Sequence, residues 1–122
     1  MNLYTLRFLP IMLILDFIYI SFIGKTLFGK MINDIQKSQI KFSYLGAIMS
    51  YLFLSLAFYY FIISKNGSVF DAFILGIVIY GVFDFTSIAL FKSYDLLIGI
   101  LDTLWGGILF SLTAFFYKIS GQ

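Results

Sequence analysis

The chain has 122 residues, of which 61% are hydrophobic and 11% charged, with a net charge of +2. A soluble domain of this size has too little interior to hide so much apolar side chain, and a small charge without a basic stripe gives no footprint for nucleic acid. Cysteine and histidine are absent, which removes disulfides, thiol chemistry, Cys-ligated metals and the commonest general base. The class left is an integral membrane protein in a lipid bilayer, all-α, read as one transmembrane domain over residues 1–122 with spans at about 3–23, 42–63, 69–90 and 96–116. No cofactor and no metal is expected.

The first span must begin before Pro10, since counting from Pro10 leaves too few residues to cross ~30 Å of hydrocarbon. A start near Leu3 or Leu6 places Pro10 in the first turns, where its missing N–H is tolerated. Asp16 inside the run, and no small-residue cleavage site after Ile23, favour a retained span over a cleaved leader. Residues 24–41 follow as the one sizeable loop. Leu27, Phe28, Met31, Ile32 and Ile35 recur at helical spacing, opposite Lys30, Asn33, Asp34 and Lys37. This predicts a short amphipathic helix in the headgroup layer.

The second span is uncharged and rich in small or hydroxylated residues (Ser43, Gly46, Ala47, Ser50, Tyr51, Ser55 and Ala57), the kind that let helices approach closely in lipid. Asn66-Gly67 breaks the chain into a turn. In the third span Ala72, Gly76, Tyr80, Asp84 and Ser87 share one face, small and polar against Phe, Ile and Val elsewhere, and that face is expected to look into the bundle. A turn at 91–95 leads to the fourth span, which carries Asp102. A central Asp costs roughly 2.5 to 3.5 kcal/mol on an insertion scale. The twelve Leu, Ile and Phe residues of that span, at about 0.5 kcal/mol each, outweigh it by ~3 kcal/mol. Four antiparallel spans put both termini on one side with Arg7, Lys65 and Lys118. Lys25, Lys30, Lys37, Lys41 and Lys92 lie on the other, so the positive-inside rule places the long loop in the cytoplasm.

Counted by depth, Asp84 lies ~7 Å and Asp102 ~6 Å from the middle of their spans toward the long-loop side, and Asp16 is displaced the same way. The three acids therefore converge on one layer, with Tyr19, Tyr80, Ser87, Thr103 and Trp105 close in depth. No Lys, Arg or His lies deep in any span. Three ionised carboxylates cannot share one dry layer. Either one or two are neutral at pH 7, or a cation or a water-filled vestibule compensates them. The hydroxyls and the Trp105 indole are available as donors.

Several readings compete. In one, the layer binds or relays protons or a small cation, since intramembrane acids mark such paths. In another, the acids only lock helix packing in a structural or assembly subunit of a membrane complex. A third, an intramembrane aspartyl hydrolase, would use Asp84 and Asp102 as a dyad. No Walker loop, dinucleotide glycine motif or nucleophile elbow is present, and the first, non-enzymatic reading is preferred, with no catalytic residue assigned. One four-helix bundle is expected to enclose little space, so a transport path would call for a homo-oligomer.

The segments Leu15-Asp16-Phe17-Ile18-Tyr19, Tyr80-Gly-Val-Phe-Asp84-Phe-Thr-Ser-Ile-Ala89 and Leu101-Asp102-Thr-Leu-Trp105-Gly106 together resemble the small bacterial and viral membrane proteins grouped as domain of unknown function twenty-one seventy-seven. The family pattern prefers Trp where Tyr19 stands, Tyr where Phe83 stands and Asn where Ser87 stands. The resemblance implies a four-span integral membrane fold, in a cell or viral membrane, with the three acids as signature positions. It implies no particular activity.

Overall fold

The structure is a computed structural model that describes residues 3–37 and 43–121. The predicted start of the second span at Phe42, and Lys41 at the end of the linker, lie outside the described residues. Among the described residues all regular structure is helical: α1 (Phe8–Tyr19), α2 (Lys25–Gln36), α3 (Tyr44–Phe58), α4 (Val69–Leu90) and α5 (Leu96–Ser120). A 3₁₀ turn, Leu3–Arg7, precedes α1. Wider π-helical turns, Ile20–Gly24 and Tyr59–Ile63, follow α1 and α3.

Four helical stretches are long and apolar enough to cross a membrane: Leu3–Gln36, Tyr44–Ile63, Val69–Leu90 and Leu96–Ser120. The bundle is antiparallel. Tyr4 bonds Ser120, Arg7 bonds Tyr117, Asp16 bonds Trp105 and Tyr19 bonds Asp102, so α5 numbers fall as α1 numbers rise. Pro10 stands three residues into α1, just past the 3₁₀ turn. Its missing N–H falls where the ladder is only beginning.

The amphipathic linker helix is present as α2. It continues the first span without a break, because neither Ile20–Gly24 nor the residues around it leave helical geometry. Met31 is buried while Lys30, Asn33 and Asp34 are exposed. The apolar face of α2 packs on the turn between α4 and α5. Asp95 N–H donates to Met31 Sδ at 3.2 Å, and Phe28 meets the edge of Tyr94 at 6.4 Å.

The tightest seam is α4 against α5. Gly76 sits on the backbone of Gly106, and a Cβ at Gly107 would lie 2.8 Å from side-chain atoms of both Ile77 and Phe73. Such bare positions let two backbones touch, which drives association where lipid supplies no hydrophobic force. Ala72, Gly76, Asp84 and Ser87 are the buried residues of α4, four of the five on the face read from the sequence. The small residues of α3 behave differently. Gly46 meets only its own helix's Ser43, and Phe58 is the one buried residue of α3. Phe58, at the C-terminal end of α3, stacks on Phe8 at 5.0 Å and meets Phe110 edge-on at 5.5 Å. The helix is thereby held off its neighbours, and a cleft opens beside it.

Ser68 and Asp71 form a reciprocal capping box at the start of α4, and Asp95 caps α5 by accepting from Ile98 N–H at 3.1 Å. Arg7 closes the other end of α5. Its guanidinium donates to Ser120 Oγ at 2.8 Å and to the Tyr117 carbonyl at 2.9 Å, and it lies 3.8 Å over the Tyr117 ring. A cation there meets both the orphan carbonyls and the negative end of the helix dipole. Arg7→Ala is expected to cost about 1–2 kcal/mol, read as a lowered thermal midpoint of helix content in detergent. Arg7→Lys should recover part of it, since an ammonium cannot reach two acceptors in one plane.

Candidate functional site: a buried aspartate layer beside a cleft

All three acids are buried, with Asp16 and Asp102 each 6% exposed and Asp84 fully covered. Their hydrogen bonds run between helices. Asp16 on α1 accepts from the Trp105 indole Nε1 of α5 at 3.1 Å and from the Tyr51 hydroxyl of α3. Asp102 on α5 accepts from the Tyr19 hydroxyl of α1 at 3.1 Å. Asp84 on α4 accepts from Thr103 Oγ1 of α5 at 3.2 Å and from Tyr94 at 2.7 Å. These partners are neutral donors, which satisfy a carboxyl without neutralising it.

The acids are also linked to one another. Asp84 packs against α5 beside Asp102: it accepts from Thr103, the next residue of that helix, and a Cβ at Gly99, three residues before Asp102, would lie 3.7 Å from Asp84 Cβ. Tyr19, which holds Asp102, stacks face to face on Trp105, which holds Asp16, with ring centroids 4.5 Å apart and planes 4° from parallel. The polar line thus runs Asp16–Trp105–Tyr19–Asp102, and Thr103, the next residue of α5, carries it on to Asp84 and Tyr94. The π turn that begins at Ile20 ends at Gly24, where a Cβ would lie 3.3 Å from the Tyr19 ring. A bare residue there leaves the ring its place. Among the described residues no three of His, Cys, Asp or Glu gather closely enough to hold a metal ion.

Asp16, Asp84, Asp102, Tyr19, Thr103 and Trp105 are brought into this line. Tyr80 lies beside it, its ring laid over Gly106, without bonding a carboxyl. Ser87 is buried but donates to the Phe83 carbonyl of its own helix at 2.8 Å. A hydroxyl one atom from the backbone reaches the carbonyl four residues back more readily than a side chain on another helix.

Tyr94 was not foreseen. It stands in the α4–α5 turn, and the chain reversal carries its ring back along α4 to Asp84. The available signal was a Tyr in a five-residue turn, ten residues after Asp84 and four after the end of α4. Burial, together with the hydrogen bond to Asp84, holds its phenol protonated well above the usual tyrosine range.

Between α1, α2, α3, α4 and α5 lies a partly open cleft of about 1020 Å³. Asp16 and Asp102 reach it, whereas Asp84 does not line it. Its walls include the rings of Tyr19, Phe28, Phe53, Tyr80 and Phe83, and Lys25 stands at one end. One copy of the bundle therefore holds more space than four closely packed rods would leave.

Fold and site define a polytopic α-helical membrane protein with buried carboxyls linked across its helices. The chain belongs to the family described as Predicted membrane protein (DUF2177), whose model matches residues 1–118. No curated protein and no solved structure matches it.

Proposed function

We propose that the aspartate layer binds and relays protons, with no catalytic turnover. One observation carries this reading: Asp84 and Asp102 are buried on neighbouring helices, and Thr103, next to Asp102 in the chain, bonds Asp84. Two carboxyls buried so near each other are relieved of their mutual repulsion when one of them holds a proton. A proton arriving at the turn passes through the Tyr94 hydroxyl, which donates its own hydrogen to Asp84 and takes another from outside. It moves from Asp84 to Asp102 across the α4–α5 seam. Asp102 opens on the cleft and can release it there. A small inorganic cation fits less well, since the acids do not gather as a ligand set.

The test is flux. The protein is reconstituted into liposomes with an internal pH dye, and a pH step is applied. Wild type is expected to dissipate the step faster than protein-free vesicles, and no difference would end this reading. Tyr94→Phe is expected to slow the flux several-fold without altering the fold, because it removes one hydroxyl and keeps the ring against Phe28. The structural-subunit reading has support of its own: every acid bonds across helices. It stands if wild type carries no flux.

A further inference from the structure

We infer that the cleft beside α3 is a binding site for a lipophilic organic ammonium ion, one with an alkyl or aromatic body and a single cationic head. The volume, about 1020 Å³, is at the upper end of what small-molecule sites enclose. Its walls are mostly apolar and its floor carries two carboxyls, Asp16 and Asp102. That combination, an apolar chamber with few convergent polar groups, is how such sites obtain both affinity and orientation.

The chemistry of the floor selects the head. Neutral donors from Tyr51, Trp105 and Tyr19 already occupy Asp16 and Asp102. What these carboxyls lack is positive charge, because the residues that bond them supply none. The same cleft is lined by the rings of Tyr19, Phe53, Tyr80 and Phe83. Aromatic rings beside a carboxyl attract an ammonium through the ring quadrupole, more strongly once water is excluded. A quaternary head needs no hydrogen-bond acceptor of its own and loses little by leaving water. An anionic head is repelled at the floor. Its attraction would be to Lys25, which stands nine residues beyond Asp16 on the same continuous helix, ~13 Å along the axis. A neutral alcohol has no reason to prefer the floor to bulk lipid.

The inference concerns occupancy and needs no proton to move. Trp105 is the chain's one tryptophan, and it bonds Asp16 and stacks on Tyr19, both of which line the cleft. Its emission therefore reports on the floor. The protein in phosphatidylcholine nanodiscs is titrated with decyltrimethylammonium, decanol and decyl sulfate, three probes sharing one chain length. The expected result is a saturable change in Trp105 emission with the cation alone, weakened at least tenfold by Asp102→Asn. Ala57→Phe, which adds a ring inside the cleft away from the carboxyls, is expected to abolish it. Equal saturable responses to decanol or decyl sulfate overturn the inference, since the cleft would then be an ordinary lipid seat. So does a cation response that Ala57→Phe leaves unchanged while far-ultraviolet dichroism shows the helices intact. Wild-type protein that binds the cation but carries no proton flux sinks the relay and leaves this inference standing. Flux without binding sinks this inference alone.

Discussion

Asp84→Asn and Asp102→Asn, each in reconstituted protein, are expected to reduce proton flux to the leak of protein-free vesicles while the bundle stays folded. Asparagine has nearly the shape of aspartate and cannot titrate. At position 84 the amide oxygen still accepts from Tyr94. The amide nitrogen can donate to Thr103 Oγ1, because a hydroxyl reverses from donor to acceptor at no steric cost. At position 102 the amide oxygen still accepts from Tyr19. The stability change should thus stay under about 1.5 kcal/mol, read from thermal or denaturant unfolding in detergent. Asp84→Leu should behave otherwise. It leaves the half-buried hydroxyls of Tyr94 and Thr103 without their partner, and unmet polar groups cost up to about 1–3 kcal/mol each when water cannot reach them. Flux lost in Asn variants of normal stability identifies proton traffic. Flux retained in both Asn variants removes the relay, and the acids then serve as bonds between helices.

The second large effect is steric. Gly76→Leu is expected to destabilise the bundle by ~3 kcal/mol or more, since even the first added carbon would occupy the place of the Gly106 carbonyl. The obstacle is backbone, which no rotamer change can move aside. Substitution at other glycines should fall into a graded series. At Gly99 a Cβ would lie 2.9 Å from Ile88 Cδ1, the far end of a flexible side chain, so Gly99→Ala should cost less. At Gly81 it would meet Thr103 Cγ2 at an ordinary 3.5 Å. Gly81→Ala should be neutral or slightly stabilising, since alanine favours the helix by up to about 1 kcal/mol over glycine. Unfolding midpoints of the three variants in one detergent test the order. A Gly76 variant as stable as Gly81→Ala would show that the α4–α5 seam is looser than described.

Several features were legible because they follow from local rules. Length and hydropathy set out four crossings, and a periodic face on α4 marked Ala72, Gly76, Asp84 and Ser87 as inward. Counting rise per residue brought Asp16, Asp84 and Asp102 to one depth, since helical geometry converts sequence position into height with little error. Amphipathic spacing marked α2. The small residues of α3 misled for an equally physical reason. A small side chain permits close approach but does not compel it, and Phe58 on its partners decides how near α3 comes.

By itself, then, the amino-acid order determined that this chain lives in lipid as four helices and that three of them carry an acid at matching height. Those are matters of transfer free energy and helical pitch, which each segment settles alone. Which donor meets which acid was decided only by tertiary structure. Tyr19 turned to Asp102 rather than to its near neighbour Asp16, Trp105 crossed to Asp16, and Tyr94 returned from a turn to Asp84. The cleft arose in the same way. These depend on how helices rotate about their axes and how far apart they stand, and contacts between segments distant in the chain set both.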